Sequence, residues 1–308
     1  MISIRGLTES ELNGIALFRK EHDNYNKRGE KERMNFNDIL YSVEDSVATI
    51  TLNRPEQFNT FSDDLLKGWV NYLEEARDDD TVNVIVITGS GKAFCAGGDV
   101  AVMEKGEGFI AGIALDPDGP TIATQRKDSL MKIVHRVAYT LEGIDKPVIC
   151  AINGPAMGAG LDMALMCDIR VVSDKAIMGE SYVKMGLVPG DGGAYFLPRL
   201  VGLPKALEML WFGDIVKADE ALRLGLVTKV FSHGSFDEEV KAYAERLAKG
   251  PQLAVRMIKR AVYSSLNTDM RTALDMISSH MAIVSGSADH KEAVNAFFEK
   301  RDPNFQGK

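Results

Sequence analysis

Two short glycine-rich runs, "FCAGGD" (94–99) and "MGAGLD" (157–162), each end on a carboxylate. Small side chains let a ligand approach backbone N–H groups. One N–H from each of two such turns makes an oxyanion hole, which stabilises an enolate or a tetrahedral oxyanion as its charge develops. A phosphate cradle is the competing chemistry. However, "MGAGLD" lacks the Lys-Ser/Thr ending of a P-loop, and "GAG" does not complete a dinucleotide fingerprint. Tight helix packing is a third, structural use of such glycines. Other chemistries lack their signatures. The five histidines are scattered without a metal-binding motif, no Gly-x-Ser-x-Gly elbow is present, and the cysteines sit in apolar runs as small buried residues. No metal is expected.

The elements that would position the two runs are legible from periodicity. "VNVIVITG" precedes the first and "PVICAING" leads into the second. Both are short, apolar and stopped by Gly, as expected of strands buried on both faces. "DIRVVSD" is a third such run and "LVTKVF" a weaker fourth. Helical patterns in "SLMKIVHRVAYTLEGI" and "LDMALMCD" alternate with them, so the spacing predicts an α/β core around a largely parallel sheet. Upstream, "DILYSVEDSVATITLNRP" predicts a hairpin turning at "EDS". Ser62 is the expected N-cap of a helix carrying Leu65, Leu66, Trp69, Leu73 and Ala76 on one face. The two glycine-rich turns then leave strand ends that are neighbours in one sheet, where open α/β sheets bind ligands.

Beyond residue 230 four helical patterns follow in series. The organisation expected is an N-terminal extension at 1–36 reading as an appended helix and linker, an α/β core at 37–230 and an α-helical region at 231–308. The chain has 308 residues, 45% hydrophobic and 26% charged, with a formal net charge of −8. That balance gives no general attraction to nucleic acid or anionic membrane. Three cysteines, Cys95, Cys150 and Cys167, form neither a zinc pattern nor a disulfide framework. There is no apolar signal core at the start, and no window approaches the roughly 18 apolar residues of a membrane span. A soluble, cytoplasmic protein is expected.

"RPEQFNTFS", "KAFCAGGDV", "KPVICAINGPAMGAGLDMALMCDIRVVSDKA" and "GLVPGDGGAYFLPRLVG", in this order, resemble the enoyl-CoA hydratase/isomerase family, also called the crotonase family. The similarity runs from about residue 37 to "AVNAFFEKRDPNF". It implies a spiral of ββα units with a helical C-terminal region that trimerises, giving a homotrimer or a dimer of trimers. It also implies an acyl-CoA thioester as substrate, with coenzyme A entering as part of it and no separate cofactor. Carried over by position, the oxyanion-hole donors are Gly98 and Ala159, while Ala96, Asp99 and Val100 lie where the family's loop holds the CoA.

The acid/base positions depart from the family pattern. A typical hydratase uses two glutamates. The first aligns with Asp162, a methylene shorter, and the second with Tyr182, which has no carboxylate. Glu180, two residues earlier, and Asp191 in "PGDGG" are nearby carboxylates. Some family branches place a catalytic carboxylate in that loop, but one position earlier, at Gly190. Each residue also has a structural reading: Asp99 and Asp191 as helix or turn caps, Asp162 as a helix-dipole partner, Tyr182 as a packing residue and Glu180 as a surface residue. The resemblance therefore implies an enoyl-CoA hydratase-like enzyme. An isomerase or acyl-CoA hydrolase on the same scaffold, and a non-catalytic acyl-CoA binder, remain as alternatives. The long stretch 107–127 is expected to border the acyl pocket and to shape acyl specificity.

Overall fold

The structure, a computed structural model, describes residues 36–307. The helix and linker expected within residues 1–36 fall outside the described residues, Phe36 excepted. Residues 37–308 form one compact unit.

Strands β1 (Ile39–Glu44) and β2 (Val47–Leu52) are the expected hairpin. Asp45 and Ser46 turn it, both at positive φ (50° and 62°), the geometry that follows the twist of the flanking strands. Helix α1 (Asp63–Asp78) starts at Ser62, whose hydroxyl accepts the Leu65 N–H at 3.1 Å. Strand β3 (Val84–Gly89) leads into the first glycine-rich turn and α2 (Val100–Glu104). The helix expected before the second turn is split. Segment α3 (Ile122–Ser129) passes through a π-helical turn, Leu130–Val134, into α4 (His135–Glu142). Then come β4 (Val148–Ile152), β5 (Ala156–Met157), α5 (Ala159–Leu165), β6 (Ile169–Ser173) and β7 (Ile177–Gly179). Next are α6 (Gly193–Val201), α7 (Leu203–Phe212), β8 (Val216–Lys217), α8 (Ala218–Arg223) and β9 (Lys229–Phe231). Four helices close the chain: α9 (Phe236–Ala248), α10 (Gln252–Ser265), α11 (Met270–Ser285) and α12 (Ala288–Glu299).

The main sheet has the order β1-β2-β3-β4-β6-β9 and is parallel except for the β1–β2 pair. Its core is formed by Val84, Val86, Ile149, Ala151 and Val171 packed against Phe236, Val240, Ala244 and Ala248 of α9. The first C-terminal helix is thus part of the core. Helix α1 buries Leu65, Leu66, Trp69 and Leu73 completely, at about 1.5–3 kcal/mol each. No helix among the described residues is long and apolar enough to cross a membrane.

Two features bring the glycine-rich turns together. Strands β3 and β4 pair in parallel, Ile85 with Val148 through Thr88 with Ala151, so their carboxyl ends are level. Beyond them the chains stay joined: Phe94 N–H and Cys95 N–H donate to Pro155 O at 3.0 and 3.2 Å, and Met157 N–H donates to Cys95 O at 3.0 Å. A second, three-stranded sheet, β5-β7-β8, was not expected from the sequence, because its strands have two or three residues and no readable period. It pairs Ala156 with Met178 and Met157 with Gly179, which sets the start of α5 beside residues 177–180.

Asn59 braces the first turn. Its side chain is fully buried and donates to Ser90 O, Ala93 O and Phe94 O at 3.0, 2.9 and 3.0 Å, while its Oδ1 accepts Arg54 N–H at 2.7 Å. Asn59 also sits at φ 56°, a left-handed conformation that Asn tolerates better than most residues. Asn59→Ala should cost about 2–4 kcal/mol by leaving these buried carbonyls short of donors. Thermal denaturation checks this as a fall of several degrees in midpoint, and an unchanged midpoint contradicts the bracing role.

Candidate active site

Gly98 and Ala159 sit on the two joined turns. Among the described residues neither backbone N–H has a hydrogen-bond acceptor. Ala159 is the first residue of α5, where an N–H has no partner within the helix and the helix dipole favours negative charge. The turns are in direct contact, since a Cβ at Gly97 would stand 3.0 Å from both the N and the Cβ of Ala159. At Gly160 a Cβ would run into the Cys95 carbonyl, so only glycine lets α5 begin this close to the first turn. Both N–H groups are thus open to an acceptor, and Ala at 159 leaves its backbone donor in place.

The acid/base candidates lie on α5 and on the chain that follows β7. Asp162 lies one turn into α5 and is fully buried. Tyr182 comes from the short 3-10 turn Ser181–Met185, and its ring lies 3.8 Å from the position of a Cβ at Gly158, the residue before Ala159. Its hydroxyl is 2.7 Å from Asp162 Oδ2 and 2.7 Å from Asp191 Oδ2. Asp191 is buried and does not cap α6. The N-cap there is Gly192, with no side-chain cap bond, which corrects the capping alternative. Asp191 instead turns inward to the phenol. Tyr182, aligned with the family's second glutamate but without a carboxylate, and Asp191, out of register with it, therefore meet at one site.

Glu180 also departs from expectation. Read as a surface residue, it is fully buried, and neither of its carboxylate oxygens has a hydrogen-bond donor among the described residues. It lies against Asp162: a Cβ at Gly193 would collide with Asp162 Oδ1 and stand 3.2 Å from Glu180 Oε2. Glycine at 193 thus leaves room for both carboxyl groups. His135, which no sequence signal marked, donates its Nε2–H to Gly190 O at 2.7 Å and so holds the loop before Asp191 against α4. Leu130, in the π-helical turn, touches the same loop, 3.6 Å from the position of a Cβ at Gly190.

Burial dominates the electrostatics. It pushes the Asp162 carboxyl above its usual range, against the opposing effect of the Tyr182 hydrogen bond. Burial, with the Asp162 charge next in weight, raises Glu180 well above its usual range. Asp191 is pushed up to about 6, mainly by burial, with the Tyr182 hydrogen bond opposing. The Tyr182 phenol is driven up by burial and by both aspartates, so it stays protonated. One phenol proton cannot occupy two 2.7 Å contacts at once. Satisfying both requires a second proton on one of the aspartates, which leaves a neutral acid and an ionised base within one bridged pair.

The residues matched to CoA binding divide. Asp99 spends its carboxylate on the protein: Oδ1 caps α2 through Ala101 N–H and Val102 N–H at 3.1 and 3.4 Å, and Oδ2 lies 3.7 Å from the Arg54 guanidinium. Ala96 is half-buried, and Val100, the first residue of α2, is exposed. The 107–127 stretch and the start of the following helical segment line an open cavity of about 300 Å³, with Phe109, Ile110, Ile113, Leu115 and Ile133 among its walls. Asp162, Tyr182 and Asp191 do not line it. Among the described residues no His, Cys, Asp and Glu side chains are grouped to hold a metal ion.

Known proteins share this arrangement of chain. A family model described as enoyl-CoA hydratase/isomerase matches residues 42–308. A crotonyl-CoA hydratase of Syntrophomonas wolfei is 34% identical over 276 residues, covering 89% of this chain and 100% of its own. A 1,2-epoxyphenylacetyl-CoA isomerase of Escherichia coli is 34% identical over 270 residues, covering 88% and 98%. The crystal structure of an enoyl-CoA hydratase subunit I of Geobacillus kaustophilus superposes with a TM-score of 0.77 at 35% identity, covering 89% of this chain and 100% of that one.

The raised carboxyl groups give a pH signature. A folded-state pKa above the unfolded value means that the native protein holds a proton the unfolded chain releases, so stability is lost as pH rises through the folded value. For Asp191, moving from 3.8 to about 6 corresponds to about 3 kcal/mol. Asp191→Asn cannot ionise. Its stability relative to the wild type should therefore increase between pH 4 and pH 8, by up to that amount, in denaturant titrations. A difference that does not change with pH would contradict the buried-carboxyl assignment.

Proposed function

The chain belongs to the enoyl-CoA hydratase/isomerase family, and we propose that within it this enzyme adds water across the double bond of a 2-enoyl-CoA, using Asp162 and Asp191 as its acid–base pair. It is an acyl-CoA enzyme with the crotonase fold. The observation that carries the proposal is the Tyr182 hydroxyl held 2.7 Å from each of two buried carboxylates, beside the unpaired N–H groups of Gly98 and Ala159.

The thioester carbonyl oxygen accepts from those two N–H groups, each such donor contributing roughly 10²–10³ in rate. The ionised carboxylate takes a proton from water as its oxygen attacks C3. The neutral carboxyl gives its proton to C2, so H and OH are both accounted for. The two carboxyl groups have then exchanged protonation states, and the phenol between them passes a proton back to reset the site. Coenzyme A enters as part of the substrate.

The same relay gives a specific reason to keep a second reading, double-bond isomerisation. A proton taken from C2 of a 3-enoyl-CoA can return at C4 from a partner joined through the phenol. The stretch 107–127 shapes the acyl side of the site. The assembly proposed is a homotrimer or a dimer of trimers. Its support is the apolar surface left open on the C-terminal helices, where Phe297 and Phe298 of α12 are 78% and 77% exposed. Three free, buried cysteines fit a cytoplasmic setting.

Crotonyl-CoA hydration, followed as loss of enone absorbance, tests the assignment. Asp162→Asn and Asp191→Asn should each lower kcat by about 10²–10⁴ while acyl-CoA affinity stays within a few-fold. Full activity in Asp162→Asn contradicts its role. Turnover of a 3-enoyl-CoA without hydration moves the reaction to isomerisation, and tight acyl-CoA binding with no turnover favours a binder.

A further inference from the structure

Hydration as proposed uses Asp162, Asp191 and Tyr182 and leaves Glu180 without a task. A carboxyl group with zero exposure and no donor to either oxygen is costly unless something requires it. Its surroundings are specific. Asp162 on α5 faces it within hydrogen-bonding reach, and Asp191, before α6, adds a second negative charge. Tyr182 follows two residues on and bonds both aspartates. His135 on α4 acts on Asp191 rather than on Glu180. No cation among the described residues pairs with Glu180.

The backbone N–H groups of Gly193 and Asp191 lie near enough to favour charge on Asp162, but neither forms a hydrogen bond to its Oδ1. As three carboxylates and one phenol, the cluster has one proton and several buried acceptors: Asp162 Oδ1, Asp191 Oδ1 and both Glu180 oxygens are all without a donor. A proton on Glu180 supplies the missing donor to Asp162. Asp162 Oδ2 is meanwhile held by the phenol at 2.7 Å, so the Asp162 carboxylate would be gripped from two sides in one orientation.

We propose that Glu180 is a positioning residue that works in its protonated form, donating a hydrogen bond to Asp162 and fixing that carboxylate toward the substrate. When Glu180 ionises, Asp162 loses a donor and gains a like charge, so activity falls at high pH. Burial and the Asp162 charge keep that ionisation well above the usual carboxylate range. The proposal rests on the acid–base role of Asp162 given above.

Two variants separate positioning from filling space. In Glu180→Gln an amide can donate to Asp162 but cannot ionise. In Glu180→Leu the volume stays and the donor is gone. Expected for Glu180→Gln is a kcat within about threefold of wild type near pH 6 and activity that persists to higher pH than in the wild type. Expected for Glu180→Leu is a kcat loss of about tenfold or more with KM changed by less than about threefold. Equal behaviour of the two variants, or a Glu180→Gln pH profile that overlays the wild type, overturns the proposal.

A substrate-free arm keeps this outcome apart from the fate of the hydration reading. If the wild type turns over no enoyl-CoA, that reading fails by itself. Denaturant titrations of wild type and Glu180→Gln from pH 4 to pH 9 still report the proton. A stability difference that grows in favour of the Gln variant with rising pH supports a protonated Glu180 in the native state, and a constant difference overturns it.

Discussion

Everything at this site follows from one phenol oxygen lying between two buried carboxylates. Two unit charges about 5 Å apart repel by roughly 3 kcal/mol at the effective dielectric of a protein site, and desolvation adds to the cost of each charge. The Tyr182 hydroxyl offsets part of that by donating one proton, but it has only one. Carboxyl protons are therefore retained above the usual carboxylate range. That state is also what general acid–base chemistry needs, a donor and an acceptor present together.

The fold holds this arrangement with few degrees of freedom. Asp162 rides on a helix whose first turn is pressed against Cys95, and the short β5–β7 pairing carries the chain that holds Glu180 and Tyr182 alongside. Asp191 comes from the loop that His135 and Leu130 hold from the other side. The oxyanion donors lie on the same two turns, with Gly158 N–H tied to Gly179 O at 2.8 Å. Moving any one of these elements would move the hole and the carboxylates together. Positioning is thus shared between the main sheet, the small sheet and the π-helical turn, a backbone form often found at functional sites.

Local signals in the sequence reached most of the scaffold. Ser62 as N-cap, the doubly buried runs at β3 and β4 and the hairpin at Asp45 and Ser46 depend on neighbouring residues, and each lies where its pattern placed it. Asp162, Gly98 and Ala159 were assigned through the family resemblance, and the structure joins the two turns that carry them. Asp191 and Glu180 were harder to read, because their environments are made by chain segments far away in sequence. A glutamate in "GESY" has no local mark that distinguishes burial against Asp162 from exposure at a strand end. Gly193, which leaves both carboxyl groups their space, looks like any helix-start glycine. The small sheet was invisible because two-residue strands carry no period, and His135 because its partner is a backbone carbonyl 55 residues on.

The most direct test is a crystal structure with a bound, unreactive acyl-CoA. The account predicts the thioester oxygen within hydrogen-bond distance of both Gly98 N–H and Ala159 N–H, with the C2–C3 bond lying between the Asp162 and Asp191 carboxyl groups. A thioester seated away from those two N–H groups, or an acyl chain that leaves both carboxyl groups out of reach of C2 and C3, would contradict it.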